Sequence, residues 1–106
     1  MGQFGLFVRF TLKEGGATGF DALVRETTAA IRANEPGTLI YACHEVEGAP
    51  DQRVFFELYA DRAAFEEHER QPHTKHFLAE RTKFVTATEV DRLSPYAGKI
   101  PAGVEQ

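Results

Sequence analysis

The sequence predicts a single α+β domain in which helices cover one face of an antiparallel sheet. Three observations support this class: a strand-like alternation of apolar residues near the N-terminus, an apolar stripe at helical spacing after it, and two strand-like segments joined by a short turn. A chain of 106 residues is long enough for one such core, although burial at this size is not generous.

The first strand is predicted over residues 3–12. Polar side chains such as Arg9 and Thr11 stand at odd positions, and a period of two is typical of a strand with one deeply buried face. Phe7 indicates that the opposite face is partly covered as well. The apolar even positions are Phe4, Leu6, Val8, Phe10 and Leu12.

A long helix is predicted next. Thr18, with Asp21 three residues later, resembles a capping box, and an acidic side chain is favourable at the positive end of a helix. The turn-forming residues 34–37 end the helix. Its apolar stripe, which must lie on the sheet, consists of Phe20, Leu23, Val24, Thr27 and Ile31.

The second and third strands are predicted over residues 38–47 and 53–60, with a turn at 48–52 that permits an antiparallel hairpin. Both strands carry apolar residues on both faces, so neither face of this sheet is given fully to water. One helical layer cannot cover two faces. The sequence therefore predicts a homodimer in which two sheets pack face to face as an α+β barrel.

The second half of the chain supplies two short helices and the last strand. Asp61 is placed to cap a helix that runs to about residue 69, and Pro72 suits the first turn of another that runs to about residue 83. Residues 84–93 are rich in β-branched side chains and read as the fourth strand. The resulting order, β-α-β-β-α-β, is the ferredoxin-like arrangement.

The sequence assigns the folded domain to residues 1–95 and a C-terminal tail to residues 96–106. The segment after Ser94 is rich in proline and glycine and cannot form regular structure. Its large apolar groups, Tyr96 and Ile100, cannot be buried by so short a segment alone. We therefore expect the tail to cross to the partner subunit and dock one of them there.

Charge and cysteine usage exclude several classes of partner. A net charge of −4 and a pI near 5.5 provide no basic surface for nucleic acid or an anionic membrane, so a small molecule or another protein is expected. No segment approaches the roughly twenty apolar residues that span a bilayer. Cys43 is the one cysteine, which excludes an intrachain disulfide and fits a reducing cytoplasm.

His68 and His73 are the first candidates for chemistry. They fall at the end of one predicted helix and the start of the next, so the intervening turn can bring both imidazoles to one mouth of the domain. Imidazole titrates near neutrality, and such a pair can exchange protons with a substrate at cellular pH. The alternative is that both are polar caps on a surface turn.

Glu57 is the second candidate, because aromatic and aliphatic neighbours flank it in a central strand. Burying a carboxylate there is costly unless it is paired or protonated. Two interpretations stay open: a structural salt bridge within the sheet, for example with Arg9, or a catalytic role in which Glu57 orients a histidine.

Neither a metal nor an organic cofactor is expected. His73 and His76 are spaced as two ligands on one helical turn, but no further ligands accompany them, so His76 reads as a solvated residue and His44 as a polar residue at a strand edge. Gly15 and Gly16 lack the rest of a nucleotide-binding fingerprint, which leaves flavin or nicotinamide without support.

One pattern after a half-buried strand, together with the corner Glu35-Pro36-Gly37, resembles the antibiotic biosynthesis monooxygenase family, which includes quinol monooxygenases and an autoinducer isomerase. The resemblance extends over roughly residues 3–95. The pattern reads Glu57-x-Tyr59-x-Asp61-x-x-Ala64-x-x-x-His68-x-x-x-Pro72-His73.

The resemblance implies a cofactor-independent oxygenase that oxidises a small aromatic quinol or polyketide-like phenol with dioxygen. In that scheme His68 or His73 is the base, and Glu57 and Tyr59 orient it or the substrate. Tyr59 stands where many relatives have Trp. The implied pocket walls are Phe4, Leu6, Phe56 and Phe77.

Two other functions stay open. An isomerase of a small phospho-ketone would use the same histidines but needs a cationic patch, for which Arg70, Lys75 and Arg81 are near enough in sequence. A non-catalytic dimeric binding module would have a closed pocket or one without polar groups.

Overall fold

The computed structural model describes residues 2–100, which form four strands and three α-helices around one core. All strand pairs are antiparallel, and the spatial order is β2-β3-β1-β4. This confirms the predicted α+β, ferredoxin-like class. The elements are β1 (Phe4–Leu12), α1 (Ala17–Asn34), β2 (Thr38–Val46), β3 (Ala49–Tyr59), α2 (Arg62–Arg70), α3 (Pro72–Glu80), a 3-10 turn (Arg81–Lys83) and β4 (Val85–Leu93).

One face of the sheet carries the core. The register places Leu6 opposite Glu57, so even residues of β1 and odd residues of β3 point to the same side, where the helices pack. The ring of Phe10 lies 5.1 Å from that of Phe20 in α1 and 4.8 Å from that of Phe55 in β3. The predicted alternation and helical stripe therefore meet in one phenylalanine-rich core.

The capping box predicted for α1 is wrong. Gly16 occupies the N-cap position and no side chain caps the helix. Asp21 instead receives two hydrogen bonds from Arg53 of β3, at 2.9 and 3.0 Å. Gly16 is needed for packing, since a Cβ there would lie 2.8 Å from the carbonyl oxygen of Phe84.

The hairpin between β2 and β3 is tighter than predicted. β3 begins at Ala49 rather than at residue 53, because Gly48 adopts a positive φ of 80° and closes the turn within two residues. The caps of the later helices agree with the sequence: Asp61 accepts a hydrogen bond from the Ala64 amide at 2.8 Å, and Pro72 lies in the first turn of α3.

The second face of the sheet is also apolar. Phe7 and Phe56 lie opposite each other there, both half-buried, and Leu58 is buried. The helical residues of the core all pack against the first face. Within residues 2–100, no helix is long and apolar enough to cross a membrane.

Candidate active site

A buried carboxylate, Glu35, is the centre of the most connected polar group in the fold. Its side chain is 2% exposed and follows the last residue of α1. Oε1 accepts hydrogen bonds from Thr38 Oγ1 at 2.6 Å and from His68 Nδ1 at 2.8 Å, and Oε2 accepts one from His73 Nε2. We call these four residues the Glu35 cluster.

The local fold brings this cluster together. The Glu35 amide donates to the Ile31 carbonyl and the Thr38 amide donates to the Glu35 carbonyl, which fixes the turn between α1 and β2. Gly37 permits the close approach of α2, since a Cβ at that position would lie 2.6 Å from the Cβ of Ala64. His68 of α2 thereby reaches Glu35.

Glu35 is held in its ionised form. Burial acts to raise its pKa, but hydrogen bonds from Thr38, His73 and His68, together with the charge of His68, lower it overall. An ionised carboxylate only accepts hydrogen bonds, so Nδ1 of His68 carries a proton. In the neutral ring, Nε2 of His68 is then free to accept a proton.

His68 is part of the core rather than a surface cap. It is 6% exposed, and its ring lies between those of Tyr41 and Tyr59, with centroids 5.5 and 5.3 Å away. The interpretation of both histidines as polar caps on a surface turn is therefore wrong for His68. His73 is partly covered, with a side chain 14% exposed.

Glu57 does not pair with Arg9. Arg9 lies opposite Val54 on the other face of the sheet, and its Nη1 donates to Gln52 at 3.3 Å. The partner of Glu57 is the hydroxyl of Tyr59, which donates to Oε1 at 2.6 Å. Glu57 also makes no hydrogen bond to a histidine among the residues described.

Burial raises the pKa of Glu57 to about 7, even though the hydrogen bond from Tyr59 lowers it, and the charge of Glu35 raises it further. Burial and the neighbouring carboxylates likewise raise the pKa of Tyr59, whose hydroxyl therefore keeps its proton. Glu57 is thus divided between its acid and carboxylate forms near neutral pH.

A cavity of about 250 Å³ lies between the sheet and the helices. His68 and Glu57 line it among mostly apolar side chains. Its wall residues are Leu6, Val8, Phe10, Tyr41, Phe65, Thr74, Phe77, Leu78, Thr88 and Val90, and its charged residues besides Glu57 are Glu69, Arg81 and Arg92.

The free atoms of His68 and Glu57 are open to this cavity. In residues 2–100 the one side-chain nitrogen or oxygen that is both fully buried and without a hydrogen-bond partner is Gln3 Nε2. Any other unpartnered atom there is therefore not fully buried. Nε2 of His68 and Oε2 of Glu57 make no hydrogen bond in that part of the chain, so both must be accessible from the cavity they line.

Some of the expected wall residues lie elsewhere. Leu6 and Phe77 line the cavity, but Phe56 does not, because alternation along β3 turns it to the opposite face from Glu57. Phe4 packs on Phe65, with ring centroids 4.9 Å apart, and lies outside the cavity lining.

Comparison with known proteins identifies the family. The family model described as antibiotic biosynthesis monooxygenase matches residues 4–80. The chain belongs to the antibiotic biosynthesis monooxygenase family. A search of the curated proteins finds no match to this sequence.

Solved structures share the fold of this family member along nearly its whole length. A candidate antibiotic biosynthesis monooxygenase of Bacteroides thetaiotaomicron is 21% identical with a TM-score of 0.86, over 94% of this chain and 95% of that one. Another from Caulobacter crescentus is 23% identical with a TM-score of 0.85, over 91% and 92%. A Mycobacterium tuberculosis protein is 25% identical with a TM-score of 0.83, over 91% and 97%.

Other groups in this monooxygenase-family chain stand apart from the cavity. His44 and His76 are exposed, and His44 Nδ1 donates to the Val54 carbonyl at 3.2 Å. A groove of about 300 Å³ along α1 and β2 contains Cys43, but burial raises the pKa of that thiol to about 12, so it is not a thiolate nucleophile. Within residues 2–100, no group of three or more His, Cys, Asp or Glu side chains is placed to hold a metal.

Sequence reasoning missed two charged residues near the candidate site. The sequence pattern includes Glu35 only as part of the corner 35–37. An acid at the negative end of a helix is unfavourable without a partner, so its position after α1 indicates that it is paired. Arg92 shares a face with Val90 by the alternation of β4 and reaches the cavity from the last strand.

Proposed function

We propose that this protein is a cofactor-independent monooxygenase that oxidises a small aromatic diol with dioxygen. Membership of the family supports the reaction class. The observation that carries the proposal is the cavity itself, in which His68 and Glu57 present proton-exchanging atoms among apolar walls. Such a site supplies two things that substrate-driven oxygenation needs, a base and apolar walls around the substrate.

The size of the cavity favours a one-ring substrate. Pockets for drug-sized ligands usually measure about 300–1,000 Å³, whereas this cavity measures about 250 Å³. Aromatic walls such as Phe10, Phe65 and Phe77 suit the faces and edges of a single ring. Of the expected substrates, the small quinol therefore fits better than a polyketide-like phenol of several rings.

His68 is the proposed base. Its Nε2 takes a proton from a substrate hydroxyl, and the ionised Glu35 at 2.8 Å from Nδ1 stabilises the imidazolium that forms. Carboxylate–histidine pairs orient imidazole in this way in other enzymes. His73 lies outside the cavity and contacts Glu35 instead, so it is a positioning residue rather than the base.

The resulting anion supplies the electrons. It reduces dioxygen, and oxygen combines with a ring carbon to give a peroxide. Breaking the O–O bond leaves one oxygen atom on the ring, while the other departs as water. For a hydroquinone the balance is one diol plus one dioxygen, giving one hydroxyquinone plus one water, and no external reductant is consumed.

Glu57 is the proposed acid for this last step. With a pKa of about 7 it still carries a proton in a large fraction of molecules at neutral pH, and that proton can go to the departing oxygen. The Tyr59 hydroxyl, 2.6 Å from Oε1, holds the carboxyl group in place.

A phospho-ketone isomerase is the second candidate function. Arg81 and Arg92 at the cavity favour it, since they provide the cationic groups that such a substrate needs. That reaction uses the same proton-exchanging groups but consumes no dioxygen.

Oxygen uptake separates the two functions. Purified protein in the presence of a metal chelator is expected to consume dioxygen in a one-to-one ratio with a one-ring hydroquinone, well above the rate of autoxidation with a heat-denatured sample. His76→Ala, which changes an exposed histidine outside the cavity, is the matched control and should keep the full rate. Absence of uptake across a panel of hydroquinones and anthrones would contradict the monooxygenase proposal.

We also propose that the protein is a homodimer joined through the second face of the sheet. Phe7, Phe56 and Leu58 make that face apolar, and Tyr96 of the tail is 99% exposed in the single chain. Ile100 is half-buried, and residues 101–106 lie outside the described part of the chain.

Sedimentation equilibrium at low micromolar concentration is expected to give the mass of two chains. Phe56→Lys should shift the protein to monomer, because it places a charge in the apolar contact. The matched control is Glu66→Lys, which changes the charge at an exposed position on α2, on the other side of the sheet. A wild-type protein that remains monomeric would refute the dimer.

A further inference from the structure

We infer that the substrate of the proposed reaction is an aromatic diol bearing a single carboxylate, which Arg81 and Arg92 bind at the cavity. The inference rests on the proposed function and names the substrate class for the same site.

The two arginines reach the cavity from different elements. Arg81 begins the 3-10 turn after α3, whereas Arg92 lies on β4 opposite Leu6 and therefore on the helix-covered side of the sheet. The guanidinium carbon of Arg92 lies 5.8 Å from the ring centre of Phe4 and 5.9 Å from that of Phe65. Of these two rings only Phe65 lines the cavity, and its cation–π contact places Arg92 beside the aromatic wall.

Neither arginine has an acidic partner within residues 2–100. Arg53 and Arg70, in contrast, form ion pairs with Asp21 at 2.9 Å and with Glu67 at 2.7 Å. A guanidinium carries several donors in a planar fork that matches a carboxylate. Two unpaired guanidinium groups at one cavity are thus available to an anionic ligand.

The charge balance selects a monoanion. Besides the two arginines, the cavity lining contains the carboxylates of Glu69 and Glu57. Glu57 is neutral when it carries its proton, so the lining then has one net positive charge, which a single carboxylate balances. A phosphate ester, which carries a charge of about −1.5 to −2 at pH 7, would leave excess negative charge beside Glu57.

Binding without oxygen tests this inference apart from turnover. Anaerobic calorimetry with 2,5-dihydroxybenzoate and with its neutral methyl ester is expected to show that the acid binds at least tenfold more tightly. A charge-assisted hydrogen bond contributes about 1.5–3 kcal/mol, which corresponds to roughly tenfold or more in affinity. Arg81→Gln and Arg92→Gln should each reduce this preference, and together they should abolish it.

Two further variants provide matched comparisons. Arg62→Gln removes an equal charge close by, since its guanidinium lies 4.3 Å from the ring centre of Phe4 but outside the cavity lining, and it should leave the preference intact. Glu69→Gln removes the competing negative charge and should strengthen binding of the acid. An unchanged preference in Arg62→Gln would separate recognition at the cavity from a general field effect.

The inference would be overturned by equal affinity for acid and ester, by a preference that survives in the double arginine variant, or by binding of neither ligand. Tighter binding of phenyl phosphate than of the benzoate would replace the carboxylate by a phosphate. A protein that binds the acid through these arginines but oxidises no diol would contradict the proposed function and leave this inference standing. Turnover of a diol without any preference for the acid over the ester would overturn this inference and leave the proposed function standing.

Discussion

Glu57→Gln should lower the turnover of an accepted hydroquinone at pH 7 by about a hundredfold, the lower end of the usual range for losing a general acid or base. A glutamine amide has nearly the shape of the carboxyl group and still accepts the hydrogen bond from Tyr59, so the cavity should keep its form. What the variant lacks is the proton that Glu57 gives to the departing oxygen.

The pH profile provides a second readout of the same group. Because the acid form of Glu57 is the active one and its pKa is raised to about 7, the wild-type rate should fall as the pH rises through about 7. This alkaline limb should be absent in Glu57→Gln. A limb that persists in the variant would assign it to another group, and an unchanged rate would remove Glu57 from the mechanism.

The free energy of unfolding should also depend on the ionisation of Glu57. The pKa of Glu57 rises from 4.5 in a model compound to about 7 in the fold, so the native protein binds this proton more tightly than the unfolded chain. The penalty for ionising it appears as the pH rises from about 4.5 to 7, and it amounts to roughly 3 kcal/mol above that window. Below pH 4 it is absent.

Glu57→Gln should therefore unfold at a higher denaturant concentration than the wild type at pH 8, with little difference at pH 4. Urea denaturation at the two pH values measures this, and Glu66→Gln, at an exposed position on α2, is the control that should change neither. A variant that is less stable than the wild type at pH 8 would contradict the account of Glu57 as a carboxyl group strained by burial.

Glu35→Ala should lose both stability and activity. Removing the carboxylate leaves three donors, from Thr38, His68 and His73, without their acceptor in a buried site. Breaking a buried charged pair costs about 3–5 kcal/mol; since the histidines can shed their charge, we expect a loss of about 3 kcal/mol. Turnover should fall at least a hundredfold in the molecules that remain folded, because His68 loses the group that orients it.

Glu35→Gln separates packing from charge. Its amide keeps the volume and one acceptor, so the loss of stability should be smaller, while the imidazolium of His68 still lacks a counter-charge. The lowered pKa of Glu35 also predicts a pH effect. The wild type should gain stability from Glu35 above its ordinary pKa and lose it as the pH falls below that value, a dependence that both variants should lack.

His73→Ala provides the graded comparison. It removes one of the three donors to Glu35 but no group of the cavity, so a severalfold loss of turnover and a loss of about 1–3 kcal/mol for the unpaired acceptor are expected. Urea denaturation measures the stability of all three variants, and initial rates measure their turnover. A rate in Glu35→Ala equal to that of the wild type would contradict the role of the cluster.

The sequence predicts the fold well because local periodicity carries it. The alternation from Phe4 to Leu12 and the stripe of α1 depend only on which residues face the core, and both appear in the structure. The errors are local. Gly48 closes the hairpin earlier than the proline and aspartate beyond it indicate, and Asp21 pairs with Arg53 instead of capping its helix.

The candidate site is less predictable because its contacts are distant in the chain. Glu35 meets His68 and His73 across 33 and 38 residues, and no local pattern indicates that pairing. The motif around His68 does indicate the region. The resemblance places Phe56 in the pocket wall. Phe56 neighbours Glu57, however, and adjacent residues in a strand face opposite sides.

Isotope labelling follows both oxygen atoms through the proposed reaction. One turnover of a one-ring hydroquinone under oxygen-18 gas, in the presence of a chelator, should place one labelled atom in the quinone product and one in water. His68→Asn should slow that labelled product at least a hundredfold while remaining folded by circular dichroism. Product without label, or an equal rate in the variant, would contradict monooxygenation with His68 as the base.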